Sequence, residues 1–276
     1  MKQTKTFTAM LLLAAMLLTA CGNTRNDESN SRSERKEKDV EEQTTLIRNG
    51  DYIVFGHYEQ DNNTDNGPEP IEWEIISEQD GKMLLISRYI IDLQPYNPDN
   101  TDVTWETSYL RGWLNNEFIN AAFNEAEQGQ ILTVTLSNPD NKLWGTEGGN
   151  DTEDKVFCLS VEEVLNLYEF NVWDEDEDCG LCQALMAEAT PYVRKNDTGG
   201  HTRRYYEEDY NTFVQPYGYT DDLIGHIIGT WWLRTPGHTS PYASYVNDFG
   251  QTGWYCYNNY SYNNIGVRPA LYLSTK

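Results

Sequence analysis

The stretches Trp231-Trp232-Leu233-Arg234-Thr235-Pro236-Gly237 and Ile265-Gly266-Val267-Arg268-Pro269-Ala270-Leu271-Tyr272-Leu273 decide how this chain folds. Each carries large apolar residues bounded by Gly or Pro, the pattern of a short buried strand. The composition between them changes character. From Tyr255 the chain runs Tyr-Cys-Tyr-Asn-Asn-Tyr-Ser-Tyr-Asn-Asn, with no aliphatic residue. Neither a period of two nor one of 3.6 separates apolar from polar there, so the segment has no core-facing side. Asn favours turns, and Tyr tolerates half exposure. A surface segment pinned at both ends by core strands is expected.

Two readings of that segment stand side by side. Tyr supplies wide, stiff contact area at small entropic cost, while Ser and Asn supply adaptable hydrogen bonds, as in antibody-type contact surfaces. The alternative is a polar hairpin region whose tyrosines lie flat on a sheet.

Outward from this core, the chain begins with a charged segment bearing Lys2 and Lys5, then an apolar run over residues 10–18 that is short for a membrane span. Leu18-Thr19-Ala20-Cys21-Gly22 resembles the lipobox of a bacterial lipoprotein. That resemblance implies cleavage before Cys21 and acylation of its thiol, which anchors the mature chain on a membrane without a spanning helix. Residues 21–45 are Asn, Ser, Asp, Glu, Arg and Lys with hardly an apolar residue, the composition of a disordered tether. The folded part is expected over residues 46–276, as a single domain with irregular insertions. A net charge of −24 repels phosphate backbones and argues against nucleic acid as a partner.

Strands are expected over residues 51–56, 71–76, 83–87, 131–136 and 156–159, with a hairpin turn at Gln79-Asp80-Gly81-Lys82. Thr107 is read as the cap of a helix carrying Leu110, Trp113, Leu114, Phe118, Ala122 and Phe123. Ser160-Val161-Glu162-Glu163 is a capping box. Residues 89–105 and 142–154 read as irregular. Residues 168–219 are the least legible part and are taken as an insertion or long loops, with a short helix near residues 182–188.

No catalytic constellation emerges. Asp61, Asn63, Asp65 and Glu72 have the spacing of a calcium loop, but its glycine is displaced to Gly67, Pro68 and Pro70 interrupt, and Glu72 falls in a strand. A polar hairpin loop is the better account, and no metal site is assigned. Cys179 and Cys182 lack the further ligands that zinc requires, and the acidic run before them dulls thiol reactivity, which leaves a local disulfide in an exported chain as the open alternative. Cys158 reads as a small buried apolar residue, and Cys256 has no evident mate. His57, His201, His226 and His238 share no common spacing, and no nucleophile elbow, phosphate loop or cofactor motif is present. No cofactor is expected. Arg234 and Arg268, each inside an apolar block, read as partnered core arginines rather than substrate clamps.

The motif Trp231 to Gly237, then Ala243, Val246 and Gly250, and finally Gly266 to Leu271 resembles an extracellular domain of bacterial lipoproteins. It also resembles the variable proteins of diversity-generating retroelements, the treponemal type among them. Upstream pieces agree: Gly56 and Gln60, Ile71-Glu72-Trp73, Gln94-Pro95-Tyr96-Asn97, Thr104-Trp105-Glu106-Thr107, Leu110 to Asn115 and Asp154-Lys155-Val156-Phe157. The resemblance implies an α+β, C-type-lectin-like domain of the formylglycine-generating-enzyme type, whose variable residues occupy a surface built by the last strands and loops. The cysteine pair of the generating enzymes has no counterpart at matching motifs, so their activity is not carried over and no enzyme is expected.

Retroelement mutagenesis substitutes template adenines, so Asn codons become codons for Tyr, Ser, Asp, His, Cys, Gly or Phe. Every residue from Tyr255 to Asn264 is Asn or reachable this way, as are His238, Ser240, Tyr242, Tyr245, Asn247 and Asp248. The intervening Ala243, Val246, Trp254 and Ile265 look fixed. The expected contact residues are therefore these six upstream positions together with Tyr255, Tyr257, Asn258, Asn259, Tyr260, Tyr262, Asn263 and Asn264, in a segment of about 238–264. They predict a lipid-anchored, surface-displayed receptor for an extracellular protein or glycan. An extracellular hydrolase or modifying enzyme, and a structural envelope lipoprotein, are the alternatives.

Overall fold

The computed structural model describes residues 47–49, 52–99, 101–167, 183–209, 223–257 and 264–275, with the backbone alone for residues 47, 49, 167, 209 and 254–257. Among them the architecture is α+β, as expected. The tether and Cys21 lie outside the described residues. No helix among those described is long and apolar enough to cross a membrane.

A meander opens the domain: β1 (Ile47–Asn49), β2 (Tyr52–Tyr58), β3 (Glu69–Gln79) and β4 (Lys82–Ser87) pair antiparallel in sequence order. The expected turn joins β3 to β4, with Asp80 and Gly81 at φ 54° and 75°, the paired left-handed geometry that a two-residue hairpin needs. Next comes β5 (Asp92–Gln94), in a region expected to be irregular. One helical stretch follows, made of α1 (Tyr109–Trp113), a π-turn (Leu114–Phe118) and α2 (Ile119–Ala122). Its cap is Ser108, not Thr107. The Ser108 hydroxyl accepts from the Arg111 amide, whereas that of Thr107 accepts from Thr104. The π-turn has a cause in the sequence. Trp113 and Phe118, like Leu114 and Ile119, stand five residues apart, and one wide turn brings each pair to the same buried side.

Further on, α3 (Glu125–Gln130) leads to β6 (Val134–Leu136), β7 (Thr152–Asp154) and β8 (Val156–Phe157). The helix α4 (Val161–Leu167) starts at the capping box: Glu163 accepts from the Ser160 amide and Ser160 accepts from that of Glu163. The stretch expected to be illegible contains β9 (Ala187–Glu188), α5 (Pro191–Asn196), β10 (Thr202–Arg204) and α6 (Glu207–Asp209). Then come β11 (Ile227–Gly229), β12 (Trp231–Pro236), β13 (Tyr242–Val246), β14 (Thr252–Tyr257), β15 (Ile265–Val267) and β16 (Ala270–Ser274).

Two larger sheets carry the core. One has the order β1-β2-β3-β4-β16-β8, the other β14-β13-β12-β15-β5. The closing motif, expected as one strand, is two. Residues 265–267 pair in the second sheet, Arg268-Pro269 turns the corner, and β16 pairs in the first. Proline supplies no N–H to a ladder, so the strand breaks there and changes sheets. Ser87 N–H donates to Pro269 O at 2.8 Å and Ile91 N–H to Val267 O at 3.1 Å, so the two crossings run side by side.

Arg268 fills that seam at 1% exposure, donating to Ser87 O at 2.8 Å and Glu74 at 2.9 Å, with its guanidinium 5.2 Å from the Trp231 ring centre. Arg234, 4% exposed, forms a forked pair with Glu163. Both are partnered core arginines, and Cys158 is fully buried as expected. The helical stretch lays Phe118 against Phe123 and Tyr58, with Phe55 and Trp73 beneath Phe123 at 5.2 and 6.2 Å between ring centres. Each fully buried Trp finds an acceptor for its indole N–H: Phe55 O, Asp154, Leu185 O and Gln94 O for Trp73, Trp105, Trp231 and Trp232.

Candidate functional site

The expected contact surface starts from β12, which is buried through Trp231, Trp232 and Leu233, all at 0% exposure. Against it lies β13, and against β13 lies β14. Ala243 and Val246 of β13 are fully buried, while Tyr242 and Tyr245 are only half-buried. A bulge between Ala243 and Tyr245 makes room for this uneven alternation. Ser244 is buried too, with its hydroxyl donating to Pro236 O at 3.0 Å. Tyr245 lies across Gly253, its partner on β14. A Cβ at Gly253 would stand 2.2 Å from the Tyr245 ring, so the missing side chain is what lets the ring lie there.

The two ends of β13 are braced differently. At residues 247–251 the Asn247 Oδ1 accepts from the amides of Phe249 and Gln251, and its Nδ2 donates to Gln251 Oε1, all at 2.9 Å. That side chain builds the turn. Tyr205 donates its hydroxyl to Asp248 O at 2.7 Å and meets Phe249 edge-on, while the Arg203 guanidinium lies 5.1 Å from the Phe249 ring centre. Burial raises the Asp248 carboxyl above the usual range, with Arg203 opposing. At the other end His238 packs its ring 4.2 Å from that of Tyr242 and 6.3 Å from that of Trp144. Two side chains of the 138–151 loop hold this corner: Asn141 Nδ2 donates to Pro236 O at 2.8 Å, and Thr146 donates to His238 O at 2.9 Å.

The structure thus places His238, Ser240, Tyr242, Tyr245, Asn247 and Asp248 along one hairpin, each at least partly exposed, with His238 touching Tyr242. The two braced ends stand about 17 Å apart along the strand. Asn264 is exposed just before β15. Tyr255 and Tyr257 lie on β14, with the Tyr257 backbone opposite Tyr242. Asn258, Asn259, Tyr260, Tyr262 and Asn263 fall outside the described residues. Trp144 was missed because its polar, glycine-rich loop has no periodicity to mark it. What the described side chains offer here is aromatic, hydroxyl and amide contact.

Residues 80–275 match the family described as Domain of unknown function (DUF6273), and the chain belongs to that family. No curated protein and no solved structure matches it.

Proposed function

We propose that this DUF6273 chain is a lipid-anchored, surface-displayed binding module of C-type-lectin-like type, whose β12–β14 hairpin and following turn contact an extracellular protein or glycan. One observation carries the reading. Every expected contact residue with a described side chain is at least partly exposed, while Ala243, Val246 and Ile265, interleaved with them, are at 0% exposure. Side chains can therefore change on a backbone held from beneath, and affinity can change without loss of fold. Aromatic anchors at such a surface dominate binding. The lipobox-like segment at Cys21 supports display, and the residue types reachable from Asn codons at these positions support variation.

The test is an array screen of the purified full chain against glycans and extracellular proteins, repeated with Tyr242→Ala. Truncating one anchor is expected to cost about 2 kcal/mol, roughly thirtyfold in Kd, for whatever ligand the parent captures. Equal capture by parent and variant, with both folded, rejects the hairpin as the contact surface.

A further inference from the structure

On another part of the domain a cavity of about 370 Å³ opens between the β2–β3 turn and the start of α5. That size suits a small ligand. Four carboxylates, Asp61, Glu69, Glu72 and Glu188, line it against a single guanidinium, Arg194.

Gln60 shows what such a ligand must offer. The residue is 8% exposed, and its Nε2 faces the carbonyls of Tyr58, Glu69 and Pro70 at 3.4, 3.2 and 3.0 Å. Flipping the amide would set its oxygen against three carbonyls, so the orientation is fixed. Among the described residues no donor reaches its Oε1, which is left to the cavity that Gln60 lines. That oxygen stays accessible, an acceptor already oriented for a donor that enters the cavity.

The carboxylates are already oriented. Glu69 accepts from the amides of Gln60 and Asp61 at 2.7 and 3.1 Å, Glu72 pairs with Arg88 at 2.8 Å, and Glu188 faces His226 at 2.9 Å. They do not all converge: Glu59, Asp61 and Glu69 offer oxygens within 4.8 Å of one another, and neither Glu72 nor Glu188 belongs to that group. The same cavity is lined by Tyr89 and by Pro70, Ala189 and Pro191. Arg88 already shows the chemistry from within the chain, its guanidinium 5.5 Å from the Tyr89 ring centre while paired to Glu72.

We propose that this cavity binds an organic cation, a primary ammonium or guanidinium group on a short carbon chain. The spread acceptors and the Gln60 oxygen take its N–H donors, and Tyr89 with the prolines covers its carbons. A divalent metal would be confined to the Glu59, Asp61 and Glu69 corner, whose oxygens lie within 4.8 Å of one another, and would leave Glu72, Glu188 and the apolar lining unused.

The test titrates the full chain with two probes, n-butylammonium and Nα-acetyl-lysine amide, using n-butanol as the uncharged isostere and calcium chloride as the metal. Both amines are expected to saturate below about 10 mM, the range open to a small cation. Tighter binding of the acetyl-lysine probe points to a peptide source, and equal binding to a free amine. Butanol and calcium should neither bind there nor compete. Glu188→Gln, and Glu69→Gln where it folds, should each weaken the amines at least about tenfold, and added salt should weaken them further. Glu69 organises the turn, so Glu188→Gln carries the result if Glu69→Gln misfolds. Butanol binding as well as the amines, calcium displacing them, no saturation, or unchanged affinity in Glu188→Gln each overturns the assignment. Tyr242→Ala should leave amine binding intact, which separates this cavity from the hairpin surface.

Discussion

Arg268 sits where the chain passes from one sheet to the other, and its planar head serves three neighbours at once: Ser87 O, Glu74 and the Trp231 ring. A lysine carries one point charge that cannot span a carbonyl, a carboxylate and a ring face together. Arg268→Lys is therefore expected to destabilise the fold by about 3 kcal/mol, the scale of a broken buried pair, measured as a fall in the urea midpoint at unchanged slope. Asp92 tests burial of the opposite charge. It is 4% exposed, and desolvation raises its carboxyl, with the Tyr58 hydroxyl, the Leu93 amide and Gln94 pulling it only part of the way back. A carboxyl that holds its proton more tightly in the folded state makes that state bind more protons. Stability contributed by this group is then greatest at low pH and is lost as pH rises from about 4, the unfolded carboxylate value, through the raised folded one. Asp92→Asn can still accept from Tyr58 but has no such titration. Urea melts should show the parent losing stability relative to Asp92→Asn across that window, and parallel curves would mean the group does not titrate there.

At the scale of single elements, the β13–β14 hairpin separates residues that shape it from residues that decorate it. Asn247 makes three hydrogen bonds inside its own turn, so Asn247→Ala is expected to cost about 1–2 kcal/mol in thermal melts, whereas Tyr242→Ala should stay within about 1 kcal/mol. The reverse order would make Asn247 a reader and Tyr242 a core residue. Gly253→Ala places a methyl into the Tyr245 ring, and overpacking of about 1–3 kcal/mol should follow, relieved in the Gly253→Ala/Tyr245→Ala pair. These elements also show what the sequence could disclose. The Asp80-Gly81 turn and the Ser160–Glu163 capping box are local chemistry and were readable where they stand. The three-residue β5 was not, because its partner β15 lies some 170 residues later and so short a strand shows no alternation. The helix α5 had a readable start in Thr190-Pro191, a capping hydroxyl and a proline at the first position, yet its six residues bury only Val193 and so carry no stripe. The outer residues of the hairpin were legible through their composition; the loop that braces them through Asn141, Thr146 and Trp144 was not, since those contacts span about 90 residues of chain.

At the scale of the whole molecule, the candidate contact surface is an excursion between two strands that the core cannot release. After the hairpin the chain re-enters through β15, parallel to β12, and then inserts β16 between β4 and β8. Ile265, Val267, Leu271 and Leu273 are each at 0% exposure along this return. Burying four such side chains is worth about 6–12 kcal/mol, which matches the full stability of an ordinary domain before any ladder hydrogen bond is counted. Removal of residues 265–276 should therefore leave the chain unfolded rather than merely short of a strand, with the loss visible in circular dichroism and in rapid proteolysis. Leu271→Ala offers the graded version, with an expected cost of about 2–5 kcal/mol. A truncated chain that still melts cooperatively would show the first sheet to be self-sufficient, and the hairpin would then hang from its C-terminal side rather than being clamped between two parts of one core.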